Sequence, residues 1–206
     1  GLSAADNPAL SSKFIKSGAN DFLKKPFNYE ELHCRVMHNL EEMELMAQIK
    51  DAAYKDYLTG LHNRRYLFEQ AETLIKPEAN NIHLAMMDLD HFKQINDTYG
   101  HEAGDRVLIQ VSELIRRSFD RFLSARVGGE EFCIVLSGLD YEKALLLMQK
   151  FCELISQTEI FFEKQLIPVT VSIGLETYIE GSLSELISLA DEKLYEAKGS
   201  DRNRVI

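Results

Sequence analysis

The chain has 206 residues, 45% hydrophobic and 27% charged, enough apolar material for one large or two small domains. A formal net charge of -10 opposes adhesion to nucleic acid or acidic membranes, so a phosphate ligand would need local cations or metal. No apolar run approaches the roughly 18 residues of a membrane span. Gly1-Leu2-Ser3 is no signal peptide, carries no Met and reads as the middle of an element. Cys34, Cys133 and Cys152 lie far apart with no CxxC pair, which predicts buried, reduced thiols in a cytoplasmic protein.

In chain order, Leu2-Ser3-Ala4-Ala5 reads as a strand end. Pro8 to Ser17 reads as a helix stopped by Gly18, and Asp21-Phe22-Leu23 as a short strand. Pro26 ends that strand and Asn28 caps the next helix. The run Gly-Ala-Asn-Asp-Phe-Leu-Lys-Lys-Pro-Phe resembles the closing segment of a response-regulator receiver domain. The resemblance covers the last third of such a domain. It implies that residues 1–40 are a receiver fragment, with Ser3 and Lys25 facing an acceptor Asp that lies before residue 1. The parent protein would then be a response regulator with an upstream histidine kinase.

Residues 29–56 carry Leu32, Val36, Leu40, Met43, Met46 or Ala47, and Ile49 or Lys50 at helical spacing, uninterrupted by Gly or Pro. The stripe predicts a stalk, with residues 41–55 as linker, that pairs with a second copy or packs on its own receiver fragment. His33 and His38 lie five apart on different faces, which argues against a metal pair.

A second unit, residues 56–206, opens with the turn-rich Asp56 to Arg65. Asn63 caps a helix to about Ile75. After a loop at Pro77 to Asn81, the nearly all-apolar Ile82 to Asp88 predicts a strand buried on both faces. A short helix with Phe92 and Ile95 follows, then a loop from Asn96 to His101. Asp105 to Arg117 is an amphipathic helix. Phe122 to Val127 and Phe132 to Leu136 are strands around Gly128-Gly129, a pair that predicts a tight primed turn with positive φ. Tyr141 to Ser156 is a helix, Val169 to Ile173 a strand ended by Gly174, and Leu183 to Lys198 the last helix. This order gives an α+β fold: a ferredoxin-like βαββαβ core of the nucleotidyl-cyclase or palm-like kind, with antiparallel pairing in the central sheet.

In that topology the first strand lies beside the hairpin, so Asp88 leaves its strand where Gly128-Gly129 turns. Carboxylates from both could hold hard divalent cations, Mg²⁺ foremost, which can clamp a phosphoryl group. The motifs in this unit are Asp-Tyr-Leu-Thr-Gly-Leu-His-Asn-Arg-Arg, Asp-Leu-Asp-His-Phe-Lys-Gln-Ile-Asn-Asp-Thr-Tyr-Gly-His, Arg-Val-Gly-Gly-Glu-Glu-Phe, Val-Ser-Ile-Gly and Ala-Asp-Glu-Lys-Leu-Tyr-Glu-Ala-Lys. Together they resemble the GGDEF domain of diguanylate cyclases along its whole length, with Glu130 in place of the Asp of the family's name.

The resemblance implies that two GTP molecules condense to cyclic di-GMP across an antiparallel pair of domains. Asp88, the Leu89 carbonyl, Glu130 and Glu131 match metal ligands for two ions per site, Mg²⁺ or Mn²⁺. Glu130 is the implied base and Lys93 a catalytic cation. Lys93, Lys198 and Arg202 match phosphate positions, as do the backbone N–H groups near His91 and Phe92 at a helix start. Asn96 and Asp105 match the guanine-reading pair. Gly129 leaves space for the ligand. Strand alternation would turn Glu130 and Glu131 to opposite faces, so only turn geometry could let both reach the metals, and the resemblance favours Glu130. A domain that senses GTP or cyclic di-GMP without turnover is the alternative, and intact Asp88, Lys93, Glu130 and Lys198 argue against it. Where many members carry an inhibitory Arg-x-x-Asp, this chain has Phe119 and Phe122, which predicts no product inhibition through that site.

Overall fold

A computed structural model describes residues 2–3, 12–14, 16–18, 22–75 and 81–206. The chain divides into two compact units, Gly1–Ala53 and Tyr54–Ile206. In the first, β1 (Leu2–Ser3) pairs in parallel with β2 (Leu23–Lys24), one residue later than the sequence predicts. Asp21 and half of the helix predicted from Pro8 to Ser17 lie outside the described residues, while residues 12–14 and 16 are helical. Gly18 takes φ +93, as expected of a helix stop. Asn28 Oδ1 accepts from Glu31 N at 2.7 Å and so caps α1 (Tyr29–Tyr54). Nothing along α1 is buried in the single chain. Its apolar residues, among them Val36, Leu40, Met43, Met46 and Ile49, face solvent. Cys34 is exposed on this helix, contrary to the expectation of three buried thiols. Cys133 and Cys152 are buried, which pushes both thiols up, Cys152 to about 11.

The second unit is a five-stranded sheet between two helical layers. Its elements are β3 (His62–Asn63), α2 (Arg64–Leu74), β4 (Ile82–Leu89), α3 (Phe92–Tyr99), α4 (His101–Ser118), β5 (Leu123–Arg126), β6 (Glu131–Ser137), α5 (Tyr141–Gln157), β7 (Ile160–Phe162), β8 (Gln165–Ile167), β9 (Val171–Thr177) and α6 (Leu183–Gly199). Strand order is β3-β5-β6-β4-β9. The pairs β5–β6, β6–β4 and β4–β9 are antiparallel, while β3 adds in parallel to β5. The four strands β4, β5, β6 and β9 have the expected ferredoxin-like arrangement, with β4 flanked by β6 and β9.

Every residue of β4 is buried, as its apolar run predicts. Alternation along the strands separates two cores. Ala85, Met87, Phe132, Ile134 and Ile173 pack with Val107, Val111, Met148 and Phe151 of α4 and α5. Leu84, Met86, Cys133 and Val135 pack with Leu67 of α2 and with Leu186, Ala190 and Leu194 of α6. Residue parity therefore sends Asp88 toward the α2/α6 layer, along with Leu84 and Met86.

Several sequence expectations need correction. Asn96 to Tyr99 is the second half of α3, not loop, because buried Phe92 and Ile95 hold a helix that Asn96, Asp97 and Thr98 would not favour alone. Only Gly100, at φ +87, separates it from α4. Gly174 does not end its strand but sits mid-β9, where a Cβ would collide with the backbone of Ala190 and Leu194. The β7–β8 hairpin was not predicted. Glu163 and Lys164 both take positive φ at its turn, a primed conformation without the usual Gly or Asn signal. The loop predicted at Pro77 to Asn81 lies, apart from Asn81, outside the described residues.

Candidate active site

Asp88, at the end of the central strand, faces Glu131 on β6 and Ser172 on β9 in the sheet register. It is 6% exposed. Lys198, near the end of α6, places Nζ 2.8 Å from Asp88 Oδ2. Burial is the main reason the Asp88 carboxyl sits above its ordinary range. Lys198 pulls it down, and Glu131 and Asp90 push it up again. The sequence reading puts Glu130 ahead of Glu131. In the fold, Glu131 is the acid directly across from Asp88, while Glu130 occupies the turn, half-buried. The Glu130 carbonyl accepts from Leu89 N at 3.3 Å, which ties the turn to β4.

The signature turn differs from the predicted primed hairpin. Neither Gly128 nor Gly129 takes positive φ. Four residues, 127–130, connect the strands, with Val127 N donating to Glu131 O at 2.9 Å. Arg126 supplies the closure that a tight turn would otherwise give. Its Nε and Nη2 donate to the Gly129 carbonyl at 3.0 and 2.6 Å, and Nη1 meets Asp56 Oδ1 at 3.0 Å. A Cβ on Gly129 would meet nothing within 4 Å, so the protein itself leaves that face open, as a ligand-facing glycine requires. A Cβ on Gly128 would strike the Glu131 carboxylate.

Asp56 anchors the Arg126 clamp. Its Oδ1 also accepts from Thr59 N at 2.9 Å and Thr59 Oγ1 at 2.6 Å, and Arg116 Nη2 donates to Thr59 O. Burial pushes the Asp56 carboxyl up, but the bonds from Thr59 and Arg126 outweigh it and hold the group below its usual value of 3.8. A lowered folded-state pKa stabilises the fold above the unfolded value, and that contribution is lost as pH falls through the folded one. Thermal melts below pH 4 are therefore expected to show a steeper acid loss for the native protein than for Asp56→Asn. Parallel acid limbs would contradict the assignment.

His91, at φ +57, precedes α3 with no side-chain cap, so the first N–H groups of that helix carry no such partner. Phe92 is buried, while Lys93 and His91 are exposed. Asn96 presses its Oδ1 against Gly104, where a Cβ would collide with it. This sets Asn96 beside the turn of α4 that carries the exposed Asp105. Arg202 is half-buried with φ +60 in the segment after α6. The fold thus brings Asp88, Leu89, Glu130, Glu131 and Lys198 to one end of the sheet, and pairs Asn96 with the Asp105 turn.

Sequence reasoning missed two parts of this region. The Arg126–Asp56 clamp was hidden because its partners lie 70 residues apart. Asp90 was left unassigned. It is 4% exposed and accepts from Thr170 Oγ1 and Ser172 Oγ, each at 2.7 Å, and from Asn203 N at 3.1 Å.

Among the described residues no group of three or more His, Cys, Asp or Glu side chains is arranged to hold a metal by itself. Two facing carboxylates and nearby backbone carbonyls nonetheless suit a hard cation that takes its other ligands from water and substrate phosphate. No helix among the described residues is long and apolar enough to cross a membrane.

A ferredoxin-like sheet ending in hard oxygen donors, next to cations and an uncapped helix start, is the layout of the nucleotidyl-cyclase class. The chain belongs to the GGDEF family: the family model described as "Diguanylate cyclase, GGDEF domain" matches residues 53–204. "Response regulator PleD" of Caulobacter vibrioides is 33% identical over 218 aligned positions, covering 98% of this chain and 48% of that protein. "Probable diguanylate cyclase DgcT" of Escherichia coli is 39% identical over 163 positions, 76% of this chain and 36% of the relative. The chain spans about half the length, or less, of these curated relatives. Among solved structures, the coiled coil and GGDEF domain of DgcB from Caulobacter crescentus, in complex with c-di-GMP, matches with a TM-score of 0.73 at 28% identity. That match covers 84% of this chain and 97% of the crystallised DgcB chain.

Proposed function

We propose that this chain is a diguanylate cyclase. It condenses two GTP molecules into cyclic di-GMP and releases two pyrophosphates, each GTP bound by one of two antiparallel domains. The observation that carries the reading is Asp88 facing Glu131 across the register, with Lys198 bonded to the same carboxylate. Family membership and the c-di-GMP-bound DgcB structure support it.

Asp88, the Leu89 carbonyl, Glu130 and Glu131 would hold two divalent cations, Mg²⁺ or Mn²⁺, which supply Lewis-acid stabilisation of the α-phosphate. Glu130 takes the proton of the 3′-hydroxyl. The 3′-oxygen forms its bond to the α-phosphorus of the GTP on the other domain, and the bond from that phosphorus to the β-phosphate bridge breaks. Lys93, Lys198, Arg202 and the N–H groups near His91 and Phe92 carry the triphosphate charge. Asn96 and Asp105 read guanine, whose N1 and N2 donors adenine does not match. Lys198 then serves two partners, Asp88 in the substrate-free protein and phosphate in the complex.

Each domain supplies half of the reacting pair, so a second copy is part of the mechanism. The exposed apolar residues of α1 suit pairing with that copy. We also assign residues 1–40 to a receiver fragment, residues 41–55 to a linker, and the parent protein to cytoplasmic response regulators acting under a histidine kinase. Its 33% identity to "Response regulator PleD" supports this.

Incubating pure protein with GTP and Mg²⁺ and separating the nucleotides tests the activity. Cyclic di-GMP should form at a rate per chain that rises with protein concentration. Binding of GTP without product at any concentration would overturn the reading in favour of a sensing module.

A further inference from the structure

We propose that Asp90 is a positioning residue that locks the cationic segment after α6 against the end of β4. The inference rests on the reading of Arg202 as a phosphate contact. Residues Asp88 and Asp90 flank Leu89 in an Asp-Leu-Asp run, of which the sequence reading gives a role to Asp88 alone. The fold separates them. Asp88 faces Glu131 and Lys198. Asp90 lies just past the strand, and both its carboxylate oxygens are engaged by other partners. Oδ1 accepts from Ser172 Oγ at 2.7 Å, while Oδ2 accepts from Thr170 Oγ1 at 2.7 Å and from Asn203 N at 3.1 Å. Its own N–H donates to Thr170 O at 2.9 Å. A buried carboxyl group that accepts from three donors is a directional anchor.

What it anchors is strained. Asp201, Arg202 and Asn203 take φ of +68, +60 and +47, three consecutive L-residues in the left-handed region. Such runs are unfavourable and persist only when surrounding bonds impose them. On one side, Arg202 N donates to Ala197 O at 3.1 Å, which attaches the segment to the turn of α6 that carries Lys198. On the other, Ile173 N donates to Arg204 O at 2.9 Å and Leu175 N to Ile206 O at 2.7 Å, which attaches it to the edge of β9. Between these two attachments Asn203 N donates to Asp90, Cys152 Sγ makes a weaker contact with Asn203 Oδ1 at 3.4 Å, and Arg204 Nε donates to Arg202 O at 3.1 Å within the segment. Asp90 therefore fixes the backbone on which Arg202 is mounted, two residues along the chain from Asp88. It acts through Arg202 and touches no reacting atom.

Two measurements test this on the full chain. Amide hydrogen exchange of the substrate-free protein needs no ligand. Asp90→Ala is expected to speed exchange in residues 200–206 by ~10-fold or more while β4 and β6 stay protected. Unchanged exchange overturns the anchor, whether or not the protein is a cyclase. The second is equilibrium binding of α,β-methylene GTP with Mg²⁺ in a double-mutant cycle. Asp90→Ala and Arg202→Ala should each weaken binding about 10-fold, and the double variant should be no weaker than either alone. Multiplying losses, or loose exchange with full analogue affinity, would overturn the positioning role. No loss from Arg202→Ala would sink the phosphate reading and this inference with it, while leaving the exchange result to stand. If Asp90→Ala fails to fold, Asp90→Asn, which keeps the shape and one strong acceptor, should show the same pattern at smaller amplitude, and wild-type exchange in that variant overturns the proposal.

Discussion

Asp88→Asn is expected to abolish cyclic di-GMP formation, by about 10³-fold or more, in a protein that still folds. The substitution keeps the size and shape of the side chain at the centre of the site. It removes the negative charge that faces Glu131 and bonds Lys198. Folding should survive because the ionised carboxylate is a burden to the apoprotein. Burial raises its pKa in spite of Lys198, with Glu131 and Asp90 adding to the rise, so the charged form costs the fold. Asparagine relieves that cost and leaves a half-exposed Lys198 with one partner fewer. Thermal melting should therefore change little while product formation vanishes. Activity within a few fold of the native protein would remove Asp88 from the chemistry. A melt that collapses with activity would make it a structural residue instead. The companion pair Glu130→Gln and Glu131→Gln separates the acid of the turn from the first acid of β6. Register sets Glu131 opposite Asp88, and on the proposed mechanism only Glu130→Gln removes the base for the hydroxyl proton.

Gly174→Val is expected to cost ~3 kcal/mol or more, because it overpacks a backbone-to-backbone contact. Residue 174 lies on the α6 side of β9, directly opposite Met86 of β4. An added Cβ would run into the Ala190 carbonyl and the Leu194 amide. Neither can rotate aside, because both belong to the helix backbone. The helix itself must lift, and it carries Lys198 one turn beyond Leu194. Urea denaturation should show the midpoint falling, and a melt should fall by roughly 6–12 °C. A native-like melt for the valine variant would mean that α6 accommodates the methyl groups and that the close approach is unimportant.

Much of the architecture could be read in advance because the hydrophobic pattern is strict where it matters. Ile82 to Asp88 is almost uniformly apolar, and the strand is buried at every position. Asn63 and the amphipathic α4 and α5 were legible for the same local reasons, in capping and period. Failures cluster where the controlling contact is distant. Asn96 to Tyr99 looks like loop until Phe92 and Ile95 reach the core. Gly174 looks like a strand end until α6 lies on it. The Gly128-Gly129 pair looks like a primed turn until Arg126 takes over its closure. At the site, the sequence gives Asp88 a role through the resemblance and leaves Asp90 without one. In the fold, Lys198 bonds Asp88, while the hydroxyls of Thr170 and Ser172 and the amide of Asn203 hold Asp90. The preference for Glu130 over Glu131 rests on the resemblance, and the strand that begins at Glu131 leaves Glu130 in the turn.

The clamp from Arg126 has a consequence for where this catalytic unit begins. Asp56 stands two residues after the helix that leads into it, yet it shares a guanidinium with the carbonyl of Gly129. A protein trimmed to start just beyond Asp56 would retain every strand of the sheet and every acid at its end. It would lose the counterweight that keeps the turn in place. The functional boundary of the unit therefore lies upstream of its first strand, and rigidity at the catalytic tip is borrowed from the segment by which the chain arrives.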